Sequence, residues 1–79
     1  MNNLYNFEIN KIAEIIEYEK ECHSILRLSE MGIIPGTVVR IVKKTPFGGP
    51  IQLKIKNYYL AIRKEDALLI IAKELSYEK

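Results

Sequence analysis

Residues 28–50 read Leu-Ser-Glu-Met-Gly-Ile-Ile-Pro-Gly-Thr-Val-Val-Arg-Ile-Val-Lys-Lys-Thr-Pro-Phe-Gly-Gly-Pro, and this stretch decides the fold. All four glycines and all three prolines of the chain fall inside it. It reads as a helix end, a tight turn, a strand and a second turn. Gly32 follows an apolar helical run, where the chain must swing to positive φ and glycine does so without a Cβ clash. With Gly32 just past the helix end, Ile33 packs back on Leu28 in a Schellman-type stop. Pro35-Gly36 supplies the central pair of a type II turn, because proline presets φ at the first position and glycine accepts positive φ at the second. Thr37 to Lys44 is β-rich, and Pro46 to Pro50 is a rigid connection that cannot continue a ladder.

Outward from this centre, the chain breaks into short β segments around one helix. Toward the N-terminus, Phe7, Ile9, Ala13 and Ile15 share one face of a strand, and Ile12 and Ile16 share the other. A bulge near Lys11 reconciles the two sets. An amphipathic helix competes for the same residues. A helix is expected over about Glu21 to Met31, with Cys22, Ile25 and Leu26 on one face and the carboxylates of Glu17, Glu19 and Glu21 near its positive end. Val39 and Ile41 face the core from the next strand, with Arg40 outward. Ile51, Leu53 and Ile55 alternate with Gln52, Lys54 and Lys56, the cleanest period-two pattern in the chain. Asn57-Tyr58 is the expected two-residue hairpin turn, with Asn57 accepting the left-handed region. Leu60 and Ile62 point inward on a fourth strand. Lys64 to Ala67 forms a helical turn, and Leu69 to Ala72 a last strand with Ile70 and Ala72 inward. Residues 1–6 and 76–79 are expected to fray. The fold class is mainly β with one inserted helix: a small, strongly bent sheet of about five strands closing on itself, in a single domain spanning 1–79.

Composition narrows the function. Seventy-nine residues make one domain with a modest core, and a hydrophobic fraction of 48% argues against disorder. The net charge of +2 is too small to argue for nucleic acid or an anionic membrane. A single cysteine excludes an intrachain disulfide. No apolar run approaches the ~20 residues that span a bilayer. The first residues lack the basic and apolar regions of a signal peptide, so a cytoplasmic location is expected.

Three ordered blocks carry a resemblance. Met31-Gly32-Ile33, Pro35-Gly36-Thr37 and Val39 resemble the signature of the FeoA family, small proteins of bacterial ferrous-iron transport. Pro46-Phe47-Gly48, Pro50 and Ile51 are similar to that family's next block. Leu60-Ala61-Ile62-Arg63, Asp66 and Ala67 are similar to the one after it. The resemblance covers about Leu26 to Ile70. It implies an SH3-like barrel with the helix inserted after the first strand, and a strand at Ile12-Ala13-Glu14-Ile15. It further implies a non-enzymatic accessory protein that acts on the FeoB transporter and meets the membrane only through it. Fe²⁺ is then the ion of the transport system; no cofactor of the chain is expected.

Candidate chemistry follows the same division. Adjacent Cys22 and His23 point about 100° apart on a helix, which argues against a shared proton and a nucleophile pair. Cys22 and His23 with Glu19 or Glu30 are conceivable metal ligands, but no spacing shows three or four converging donors, and no metal ligand is assigned. Lys43, Lys44, Lys54, Lys56, Arg63 and Lys64 cluster in sequence, and Tyr58 and Tyr59 are able to stack on bases, yet alternation makes the lysines the ordinary outer face of a strand. Protein binding explains more. Pro46, Phe47, Gly48 and Pro50 form a loop with an exposed apolar anchor, the alternative being a hairpin connection in which Phe47 caps the barrel core. Leu69 and Ile71, pointing outward at a sheet edge beside Tyr58 and Tyr59, make an apolar patch for a partner or for self-association, and equally open is a last strand buried on both faces by the N-terminal segment. These eight residues are the expected partner-binding set. Two alternatives stay open: a metal- or peptide-binding accessory domain like that of DtxR-type repressors, and a small RNA-binding barrel.

Overall fold

The computed structural model describes residues 1–19 and 23–75. Cys22, Glu21 and the expected tail at 76–79 lie outside the described residues, and so does the side chain of His23. Six strands form one antiparallel sheet in the order β1-β6-β2-β3-β4-β5. They are β1 (Asn2–Asn3), β2 (Ile12–Tyr18), β3 (Val38–Lys44), β4 (Ile51–Ile55), β5 (Tyr58–Ile62) and β6 (Ile70–Leu75). Helix α1 (His23–Glu30) follows β2, and the one-turn α2 (Lys64–Ala67) joins β5 to β6. The mainly β class with an inserted helix stands; the described residues form six strands rather than about five.

The central stretch folds as its residues dictate. Gly32 takes φ 102°, its N–H donates to Ser29 O at 3.0 Å, and the Ile33 N–H donates to Leu28 O at 3.0 Å. That pair of bonds is the Schellman stop, and it sets Leu28 and Ile33, both fully buried, side by side in the core. The Pro35-Gly36 turn closes through Thr37 N–H to Ile34 O at 3.0 Å, with Gly36 at φ 94°. Its outer groups do not go to waste: the Gly36 N–H donates to Ile15 O and the Ile15 N–H to Thr37 O, both at 2.8 Å. The turn therefore also starts the β2–β3 pairing.

Alternation places the core. Val39 and Ile41 of β3, and Ile51, Leu53 and Ile55 of β4, are buried, with Arg40 exposed between. Each such aliphatic side chain is worth ~1.5–3 kcal/mol of burial, far more than any surface ion pair here. Two register shifts, at Ile15/Glu17 and Ile41/Lys43, insert an extra residue in β2 and in β3 and bend the sheet.

Several expectations are corrected. The bulge in β2 lies at Ile16; near Lys11 the chain instead turns through Asn10 at φ 75°, leaving Ile9 48% exposed. The β4–β5 hairpin turns on Lys56-Asn57, one residue earlier than expected, with Lys56 at φ 55° and Ile55 opposite Tyr58. Helix α1 buries Leu28, while Leu26 is 69% exposed, so the expected face through Leu26 is rotated toward solvent. Glu17 belongs to β2, and among the described residues no carboxylate occupies the first turn of α1, the expected start at Glu21 lying outside them. Residues 2–6 do not fray: Asn2 and Asn3 pair with Ala72 and Ile71, and Leu4 is fully buried.

Candidate docking surface

The eight expected contact residues fall into three places. Phe47 sits at the tip of the β3–β4 loop with its ring entirely in solvent. Its φ is 64° and that of Gly48 is 78°, so two consecutive residues occupy the left-handed region. For a bulky aromatic this is an uncommon conformation that the local backbone must impose. The loop is pinned at its base by the Thr45 N–H donating to Pro50 O at 3.1 Å. Gly48 lies beside the side chain of Lys64 at the start of α2.

Tyr58 and Tyr59 open β5, at the other end of β4. Four residue steps along β4 separate the two groups, about 13 Å. The tyrosines point to opposite faces. Tyr58 stands on the core side opposite Ile55, is 41% exposed, and donates its hydroxyl to Met31 O at 2.7 Å. Tyr59 stands on the outer face opposite Lys54, is 57% exposed, and has the Lys54 Nζ 5.8 Å from its ring centre. Cation–π attraction of this kind holds the ring in place weakly, on the order of 0.5–1 kcal/mol at an exposed site.

Leu69 and Ile71 do not belong with these groups. Ile71 lies on β6, an interior strand flanked by β1 and β2, Leu69 lies in the turn before it, and both residues are half-buried. Of the two expectations for the last strand, the open edge at Leu69/Ile71 is corrected and the N-terminal segment covers it: Ile71 pairs with Asn3 on one side and Glu17 on the other.

Sequence reasoning missed a cluster behind the Phe47 loop. The ammonium groups of Lys44 and Lys64 each lie 5.2 Å from the ring centre of Tyr5, and Lys44 also donates to Tyr5 O at 2.7 Å. No sequence signal links Tyr5 to lysines so far along the chain. Among the described residues, no three His, Cys, Asp or Glu side chains gather as metal ligands. No helix among them is long and apolar enough to cross a membrane.

Comparison with known proteins gives a coherent result. The FeoA domain family matches residues 2–74. The FeoA-like protein of Clostridium acetobutylicum is 31% identical, with a TM-score of 0.86 over 99% of this chain and 91% of that one. Iron(II) transport protein A of Clostridium thermocellum is 32% identical, with a TM-score of 0.85 over 92% of this chain and 45% of that one. FeoA of Stenotrophomonas maltophilia, solved with zinc and described as a procaryotic SH3 domain protein, is 22% identical; its TM-score is 0.77 over 92% of this chain and 91% of that one. That last likeness speaks to the fold, and the bent sheet described above is the SH3-like barrel.

Proposed function

This chain belongs to the FeoA family, which is linked to ferrous-iron transport, and from that premise we propose that it is a cytoplasmic accessory protein that docks on the FeoB transporter through the Phe47 loop and the β5 tyrosines. The observation that carries the reading is Phe47. A fully exposed aromatic ring held at positive φ on a proline-flanked loop gains nothing for the fold and is already ordered for a partner. Pro46 and Pro50 restrict the loop, Gly48 takes its positive φ without strain, and Tyr58 and Tyr59 add amphipathic rings about a strand length away. Leu69 and Ile71 contribute little, being half-buried, Leu69 in the turn before β6 and Ile71 within the sheet.

No catalytic step is assigned to the chain. Its action is conformational: it binds one state of the transporter better than another, and it shifts the equilibrium only by that difference in affinity. The test is calorimetry of the chain against a cytosolic FeoB fragment, with and without guanine nucleotide and Fe²⁺. Saturable binding that depends on nucleotide and is weakened by Phe47→Ala supports the reading. Absence of binding in every state sinks it.

A further inference from the structure

Strand β5 ends the sheet, and nothing in its sequence protects that edge. Tyr58-Tyr59-Leu60-Ala61-Ile62 contains no charge, no proline and no glycine, and it pairs with β4 without a bulge. Sheet edges in natural proteins are ordinarily blunted by one of these devices, because an open edge is a template for another strand. The register tells which groups are open. Ile55 and Tyr58 close a two-residue hairpin, so Tyr58, Leu60 and Ile62 direct their backbone groups to β4. Tyr59 and Ala61 direct theirs away, and among the described residues no hydrogen bond reaches them.

The charges around this edge are mostly basic. Lys54 lies opposite Tyr59, Lys56 sits in the turn before β5, and Arg63 follows its last residue; Lys56 and Arg63 are exposed. Asp66, close by in sequence, is already bonded to Arg27, which leaves Glu65 as the near carboxylate. A second copy of this chain is a poor occupant. Antiparallel pairing about Leu60 brings the exposed Lys56 of one copy to the strand end that carries the exposed Arg63 of the other, and like charges across a strand pair repel. An acidic strand meets no such penalty.

We propose that the free edge of β5 takes an extended, acidic segment of a partner protein by strand addition, with backbone bonds to Tyr59 and Ala61 and carboxylates against Lys54, Lys56 and Arg63. The backbone ladder supplies affinity, and the basic rim and the Tyr59 ring supply selectivity. This goes beyond the docking reading above and does not depend on which protein supplies the segment.

The probe is the peptide acetyl-Glu-Val-Glu-Val-Thr-Val-Glu-amide, titrated into nitrogen-15-labelled chain. The largest amide shifts, with slowed hydrogen exchange, are expected at Tyr59 and Ala61, and replacing each Glu of the peptide by Lys is expected to weaken binding about tenfold. Ala61→Pro removes an edge donor and is expected to abolish the shifts. Should that variant not fold, the peptide N-methylated on one edge provides the same control. No shift at Tyr59 and Ala61 up to millimolar peptide, equal binding of the Glu and Lys peptides, or concentration-dependent pairing of the chain with itself overturns the proposal. The transporter is absent from this titration, so its failure is separate from failure of the FeoB reading.

Discussion

The Tyr58 hydroxyl lies over Gly32, in the place that a side-chain carbon at position 32 would occupy, and from there it donates to Met31 O at 2.7 Å. Glycine is thus required at this position twice, once for its φ of 102° and once for the space. The same contact ties β5 to the end of α1, so the helix stop and the sheet edge are built as a unit.

Gly32→Ala should therefore be severe. The left-handed backbone costs ~1–2 kcal/mol for a non-glycine residue, and displacing the tyrosine adds ~0.5–1.5 kcal/mol for its hydrogen bond. At ~4–8 °C per kcal/mol for a chain of this size, the melting temperature should fall by about 10 °C or more. Tyr58→Phe in the same background should restore part of the loss. Strict additivity of the two changes in thermal melts would show that the contact does not couple them.

Arg27 and Asp66 give a contrast with Lys11 and Glu74. The Lys11–Glu74 pair is the shorter, at 3.1 Å against 3.3 Å, but both its side chains are about half exposed, whereas the Asp66 side chain is 7% exposed. Burial decides which matters. Arg27→Ala leaves a buried carboxylate without its side-chain partner and should cost ~1–2 kcal/mol in urea denaturation, discounted because Arg27 itself is half exposed. Lys11→Ala should stay within ~0.5 kcal/mol.

Phe47→Gly separates stability from docking. Relief of the positive φ gains ~1–2 kcal/mol, and the added freedom of the unfolded chain costs ~0.5–1 kcal/mol. The variant should melt at the same temperature as the parent or slightly above it, while losing affinity for the FeoB fragment. A marked drop in melting temperature would mean that the ring serves the fold.

Leu4→Ala should cost ~2–4 kcal/mol, the penalty of emptying a fully buried site. Deleting residues 1–6 should cost more, because it also uncovers the outer edge of β6. Chemical denaturation of both variants checks this; unchanged midpoints would mean that the segment is dispensable.

What was legible in the sequence was local. Gly32, Pro35 and Gly36 carry their conformations in their own covalent geometry, and β4 carries its faces in a period of two. What was not legible depended on partners far along the chain. Leu4 is a core residue only because β6 accepts Asn2 and Asn3 beside it. Ile71 is no edge residue for the same reason. The hairpin turn shifted to Lys56 because pairing of Ile55 with Tyr58 fixes the register, which outweighs the better left-handed tolerance of Asn57. At the candidate surface, the exposure of Phe47 followed from its Pro and Gly neighbours. The split between that loop and the tyrosines is set by the length of β4, and the meeting of Lys44 and Lys64 on Tyr5 by the curl of the whole sheet.

The position of β6 carries a consequence for synthesis. It is the last of the six strands to be made, yet it lies between β1 and β2, the first two. A ribosome adding about 5–20 residues per second therefore holds β2 with one open side for several seconds while the helix and the β3–β4–β5 meander are completed. Within the nascent chain, the N-terminal strand has no seat until residues 70–75 emerge.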